Sequence, residues 1–188
     1  APATGCTTGF DSASLIVNET RKGFEKLVLK LAKGPQLVQA DFGDPSAAGG
    51  TGYTVCFYRV TDGGYAGDLR LDRAGQLCGA KPCWRSLPGL GFQYTDRSYV
   101  MDGIGTFKLR GGPAGQSQIS VVGRNDVNKG QTSLPAGTNP AAPGIAKGLD
   151  RSFDGARVQI RRDDGSACFE ASLDNVIRSG RTIFKAKS

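Results

Sequence analysis

Five cysteines and no histidine bound the chemistry open to this chain of 188 residues. Histidine is the side chain whose ordinary pKa lies nearest neutrality, and it is the commonest metal ligand. Its absence excludes Ser-His-Asp and Cys-His catalytic sets. The cysteines are Cys6, Cys56, Cys78, Cys83 and Cys168. Structural zinc wants two closely spaced cysteine pairs, and only Cys78 and Cys83 are neighbours here. Disulfides are therefore the expected use, and an odd count leaves one thiol over. Cys6, in the small-residue segment Thr4-Gly5-Cys6-Thr7-Thr8-Gly9, is the expected odd one, whether free, paired with one of the other four, or linked to a second copy. Among Cys56, Cys78, Cys83 and Cys168 the pairing stays open. A local Cys78–Cys83 bridge would leave Cys56 to Cys168.

Other chemistries find little support. A glycosidase needs only a pair of carboxylates, but the 17 Asp and Glu residues sit mostly at turns or beside basic residues. There is no Gly-x-Ser-x-Gly elbow and no Ser-x-x-Lys. Three acidic stretches have calcium-like composition: Asp41-Phe42-Gly43-Asp44, Asp163-Asp164-Gly165 and the segment from Arg124 to Gly130. None has the spaced acids and terminal Glu of an EF-hand loop, and Asp-Gly is common turn chemistry. No metal and no cofactor is expected. Trp84, the single tryptophan, lies near Tyr94 and Tyr99 in sequence and could stack a sugar ring with them. A tryptophan beside Cys83 is better explained as packing on a disulfide in a β-sandwich core, and that reading is preferred.

The elements that would position these residues read as strands. Hairpin strands are expected near residues 14–19 and 25–32, turned at Arg21-Lys22-Gly23. Tyr53 to Val60 is dense in β-branched and aromatic residues, with a return over Asp68 to Asp72. Cys78 to Pro88 reads as a loop, followed by a short strand at Phe92-Gln93-Tyr94. Gly105 to Arg110 and Gln118 to Val122 flank a Gly/Pro turn, and Ala156 to Arg161 and Ala167 to Ala171 flank Arg162-Asp163-Asp164-Gly165. A last pair covers Val176 to Arg178 and Thr182 to Lys185. The pattern predicts an all-β fold, an antiparallel sandwich or flattened barrel of successive hairpins stapled by disulfides. Residues 1–12 read as an N-terminal arm and 13–188 as a single β domain, with a long Gly/Pro-rich loop at 123–149.

Charge bears on partners. The net charge is +7, from 24 Lys and Arg against 17 acids. Such a surface aids solubility and attracts polyanions. No run of five or more cations suggests a nucleic-acid arm, and no apolar stretch reaches membrane-spanning length. The opening Ala1-Pro2-Ala3 has the look of a mature chain whose signal peptide has been removed.

Three stretches carry a resemblance: Gly49 to Tyr58, Cys78-Gly79-Ala80-Lys81-Pro82-Cys83-Trp84, and Ala167-Cys168-Phe169-Glu170-Ala171 through to Lys187. Their order resembles a group of uncharacterised secreted proteins of delta-proteobacteria and related environmental bacteria, over most of residues 25–188. The likeness implies export and a bacterial source, and it implies no activity and no site. The expected function is thus a non-catalytic extracellular structural or assembly protein, such as a subunit of a surface layer or filament, whose partner is itself. The alternative is a secreted carbohydrate- or cell-envelope-binding module for an anionic polysaccharide, with Trp84, Tyr94 and Tyr99 as ligand contacts.

Overall fold

The computed structural model describes residues 1–135, 144–150 and 152–188 and is built from successive antiparallel hairpins. In chain order these are β1 (Ser12–Asn18) with β2 (Lys26–Gly34), β3 (Tyr53–Arg59) with β4 (Tyr65–Leu71), and the short β5 (Leu77–Cys78) with β6 (Lys81–Pro82). Next come β7 (Trp84–Leu87) with β8 (Gly91–Thr95) and β9 (Ile104–Arg110) with β10 (Ser117–Arg124). Last are β11 (Ala156–Arg162) with β12 (Cys168–Leu173) and β13 (Asn175–Gly180) with β14 (Ile183–Lys187).

Apart from the β5–β6 ribbon, the hairpins assemble into two sheets. The larger has eight strands in the order β13-β14-β1-β2-β10-β9-β8-β7, and the smaller has four in the order β12-β11-β3-β4. Strict alternation drives this arrangement, because successive side chains on a strand point to opposite faces. Ala13, Leu15 and Val17 on β1 and Leu27, Leu29 and Leu31 on β2 are buried, while the residues between them reach outward. Val55 and Phe57 on β3, Val158 and Ile160 on β11, and Phe169 on β12 do the same from the smaller sheet. The inward faces share one apolar core, so the molecule is an open sandwich and not a closed barrel.

Sequence reading placed most strands within two or three residues. It missed β7, which lies inside the stretch read as a loop: Trp84 pairs with Tyr94 and Leu87 with Gly91. Pro82, Pro88 and Gly89 look like continuous turn chemistry, yet Trp84 to Leu87 holds its place as the last strand of the larger sheet. Within 123–149, β10 continues to Arg124, a 3-10 turn covers Val127–Lys129, and a short helix, α1 (Ile145–Gly148), buries Ile145 and Ala146. Residues 136–143 of that stretch lie outside the described residues.

Cys6 is not the odd cysteine expected from the sequence: it bonds to Cys168, and Cys78 bonds to Cys83. The arm explains why. Thr7 lies parallel to Phe169 at the edge of β12, donating its N–H to the Cys168 carbonyl at 2.8 Å and accepting the Glu170 N–H at 2.8 Å. That register sets Cys6 beside Cys168. Farther out, the Gln159 amide holds both the N–H and the carbonyl of Ala3, at 2.9 and 2.8 Å. Cys56 is the free thiol, buried on β3 opposite Gln159 of the central strand β11. Cys168 lies across β11 on β12, two strand spacings or about 10 Å away, beyond disulfide reach.

Burial pushes the Cys56 thiol upward in pKa, with the Asp68 carboxylate adding to the effect. A thiolate is the reactive species, so an inert thiol is expected in the folded protein. A thiol reagent at mildly alkaline pH should leave native protein unlabelled and titrate a single thiol per chain after denaturation without reductant. Rapid labelling of native protein would contradict this packing.

Candidate functional site

The sugar platform, the less favoured of the two readings of Trp84, does not form. Trp84 and Tyr94 sit opposite each other on the inward side of β7 and β8, only 2% and 0% exposed. Their rings join Tyr53 and Phe107 in one aromatic cluster: centroids are 5.4 Å apart for Trp84–Tyr94, 5.5 Å for Trp84–Tyr53 and 5.8 Å for Trp84–Phe107. Such tilted contacts are core packing. Burial also drives the Tyr94 hydroxyl pKa far upward. Tyr99 lies apart from them, in the loop between β8 and β9. Its ring covers Gly105, where any Cβ would collide with it, and the Arg124 guanidinium stands 4.5 Å from its centroid. The ring is thus engaged within the fold and forms no shared platform with Trp84 and Tyr94.

The acidic stretches are turn and loop fittings. Asp41 accepts the Val38 N–H at 2.7 Å. The Ser46 hydroxyl and N–H bond to Asp44 and hold its carboxyl below the usual range. Ser166 does the same for Asp164, aided by Arg162. Asp126 and Gln131 close the turn after β10, with Lys129 3.6 Å from the Asp126 carboxylate. Asp44, Asp72, Asp163 and Asp164 do line one cavity, of about 550 Å³, but Arg70 stands among them and contacts Asp72 and Asp163 at 3.7 and 3.8 Å. Among the described residues, no three acids or cysteines are grouped as metal ligands.

The feature that stands out is the outer face of the larger sheet. Its strands carry ten cations, Lys26, Lys30, Lys33, Arg85, Lys108, Arg110, Arg124, Arg178, Lys185 and Lys187, and not one Asp or Glu. Acids begin only beyond the strand ends, at Asp11, Glu19, Glu25, Asp96, Asp126 and Asp174. Two of these, Glu19 and Glu25, are buried and hydrogen-bonded to backbone N–H groups of Ala146 and Gly23.

Strand register arranges four of the cations in a line. Arg85 is opposite Gln93, Gln93 opposite Lys108, Lys108 opposite Ser120, and Ser120 opposite Lys30. The line continues from Lys30 to Ser14, from Ser14 to Lys187, and from Lys187 to Asn175. One transverse row therefore crosses all eight strands, with a cation on every second strand and an amide or hydroxyl between. Among the described residues none of these four cations has an ion-pair partner; the ion pairs lie on loops and the smaller sheet. Neighbouring strands lie almost 5 Å apart, so the charges recur about every 10 Å. Like charges at that spacing face water and are partly screened from one another, so they coexist at small cost to the fold. An elongated anion lying across the strands would meet all four charges, with hydrogen-bonding groups between. Sequence reading did not find this row, since each of four strands contributes a single one of its cations.

No family model, curated protein or solved structure matches the chain.

Proposed function

We propose that the protein is a secreted, non-catalytic binding module for an acidic polysaccharide of a cell envelope or extracellular matrix, held on the outer face of the eight-stranded sheet. The observation that carries this reading is the row of Arg85, Lys108, Lys30 and Lys187 on a face without acids. Two disulfides suit an oxidising compartment, where such polymers are met. A charge about every 10 Å matches a polymer with one carboxylate or sulfate per two sugars, and the intervening Gln93, Ser120, Ser14 and Asn175 suit sugar hydroxyls. Nucleic acid fits less well. Its phosphates recur about every 3.4 Å along a strand, and single strands want exposed aromatic platforms. Here Trp84 and Tyr94 are buried.

The test is calorimetric titration with hyaluronan, which carries one carboxylate per disaccharide, against neutral dextran and duplex DNA. Binding to hyaluronan that weakens steeply between roughly 50 and 200 mM salt is expected, as for any multi-cation contact. Absence of binding at low salt, equal binding to dextran, or tighter binding to DNA would overturn the reading.

Self-assembly into a surface layer or filament is the second reading, and it keeps one support: β7 and β13 end the larger sheet, and end strands can pair with further chains. The version built on a loose arm and an unpaired Cys6 has lost its support, because both are tied to β12. Light scattering at high concentration separates the readings. Polymers would favour assembly, and a monomer would leave the binding module alone.

A further inference from the structure

The charged row ends at a cavity. Arg85 and Gln93, its last two members, also line a pocket of about 790 Å³ beside β7, within the usual size range of ligand sites. Lys81 and Arg97 stand on its other walls, both exposed and without an ion-pair partner among the described residues. Its one acid, Asp96, is already engaged. That carboxylate is 2% exposed, lies 3.6 Å from Arg73, and accepts the backbone N–H groups of Ser98 and Val100 at 2.8 and 3.2 Å. Three free cations against one satisfied carboxylate give the pocket the sign of the row.

The walls are built to keep their shape. The Cys78–Cys83 disulfide closes the β5–β6 ribbon on one side, and the Cys83 carbonyl accepts the Thr95 N–H at 2.9 Å, which ties that ribbon to the end of β8. Trp84 also lines the pocket, and its indole Nε1–H is a buried donor with no partner. β7 is the last strand of its sheet, so the row of cations stops at this pocket.

We infer that this pocket takes the terminal acidic sugar of a polysaccharide laid along the row, which makes the protein a reader of chain ends. The inference rests on the polyanion reading of the sheet face. Arg85, Arg97 and Lys81 meet the terminal carboxylate, and Gln93, Thr95 and Ser98 meet its hydroxyls.

Trp84 is the single tryptophan and adjoins this pocket with its ring packed in the core, so a ligand that seats there should shift its emission. The full chain is titrated with hyaluronan tetrasaccharide and with long hyaluronan of several lengths, following both heat and Trp84 emission. The expected result is a Trp84 emission shift with the tetrasaccharide, and with long chains a shift that saturates at a fixed number of proteins per chain end, whatever the length. The double variant K81A/R97A, altered only at exposed positions, should weaken the tetrasaccharide about tenfold, as the loss of two surface charge contacts implies. With long chains it should loosen the fixed ratio of proteins to chain ends. Long chains that bind many copies along their length with no change in Trp84 emission would overturn end recognition and leave the polyanion reading standing. No heat with any hyaluronan would overturn both.

Discussion

Replacing Cys6 and Cys168 together by serine is expected to lower stability by about 5 kcal/mol. The bond joins positions 162 residues apart, and a cross-link restricts the unfolded chain more as the loop it closes grows. The same reasoning gives only about 2 kcal/mol for Cys78 and Cys83, which close a loop of 5 residues. For a chain of this size the first loss corresponds to a fall in melting temperature of roughly 10 to 20 °C, and the second to a third or half of that. The native arm keeps its other contacts, with Thr7 on β12 and Phe10 buried beside Gly34, so C6S/C168S should fold to the same structure. Calorimetric melting of the two double variants under oxidising conditions checks the ranking. A C6S/C168S chain that melts within a few degrees of the parent would show that the arm disulfide does little to hold the fold.

The second large effect concerns binding. K30E/K108E is expected to weaken acidic polysaccharide by about a hundredfold or more. Each cation near an anionic surface contributes about 1 kcal/mol, and each reversal both removes that attraction and adds a repulsion. Lys30 and Lys108 occupy the middle of the row, flanked by Ser14, Ser120 and Gln93, so the change breaks no ion pair. Stability should move by no more than about 0.5 kcal/mol, as for other surface substitutions. The matched control is K22E/K147E, which changes net charge equally at exposed positions outside the strands of the larger sheet. If both variants lose affinity alike, overall charge and not the row governs binding.

How far the sequence foretold this molecule depends on the range of the interactions involved. Local rules located the hairpins, since alternation in Leu27-Val28-Leu29-Lys30-Leu31 and turn chemistry at Asp62-Gly63-Gly64 act over a few residues. They failed at β7, where prolines on either side mask a strand that the sheet edge holds in place. For Trp84 they favoured the core over a sugar platform, and the ring is buried, but they could not fix its register. A one-residue shift of register moves a side chain from one face to the other, and nothing local to Trp84 says which face it takes. The Cys6–Cys168 bond was out of reach for the same reason, because it depends on a parallel contact between the arm and a strand near the other end of the chain. The cationic row is the extreme case. Arg85, Lys108, Lys30 and Lys187 are scattered over most of the sequence, and only the pairing of eight strands brings them into line.

The arm disulfide also governs how this protein answers a mechanical load. Cys6 and Cys168 close most of the polypeptide into a covalent ring, and only residues 1–5 and 169–188 lie outside it. Tension applied at the two ends peels β12, β13 and β14 and then stops at the sulfur–sulfur bond, after an extension of roughly 90 Å at about 3.5 Å per freed residue. The strands that carry Lys30, Lys108 and Arg85 lie inside the ring and bear none of that pull. A module tethered by its ends in flowing surroundings would thus keep most of its binding face intact while its terminal strands give way.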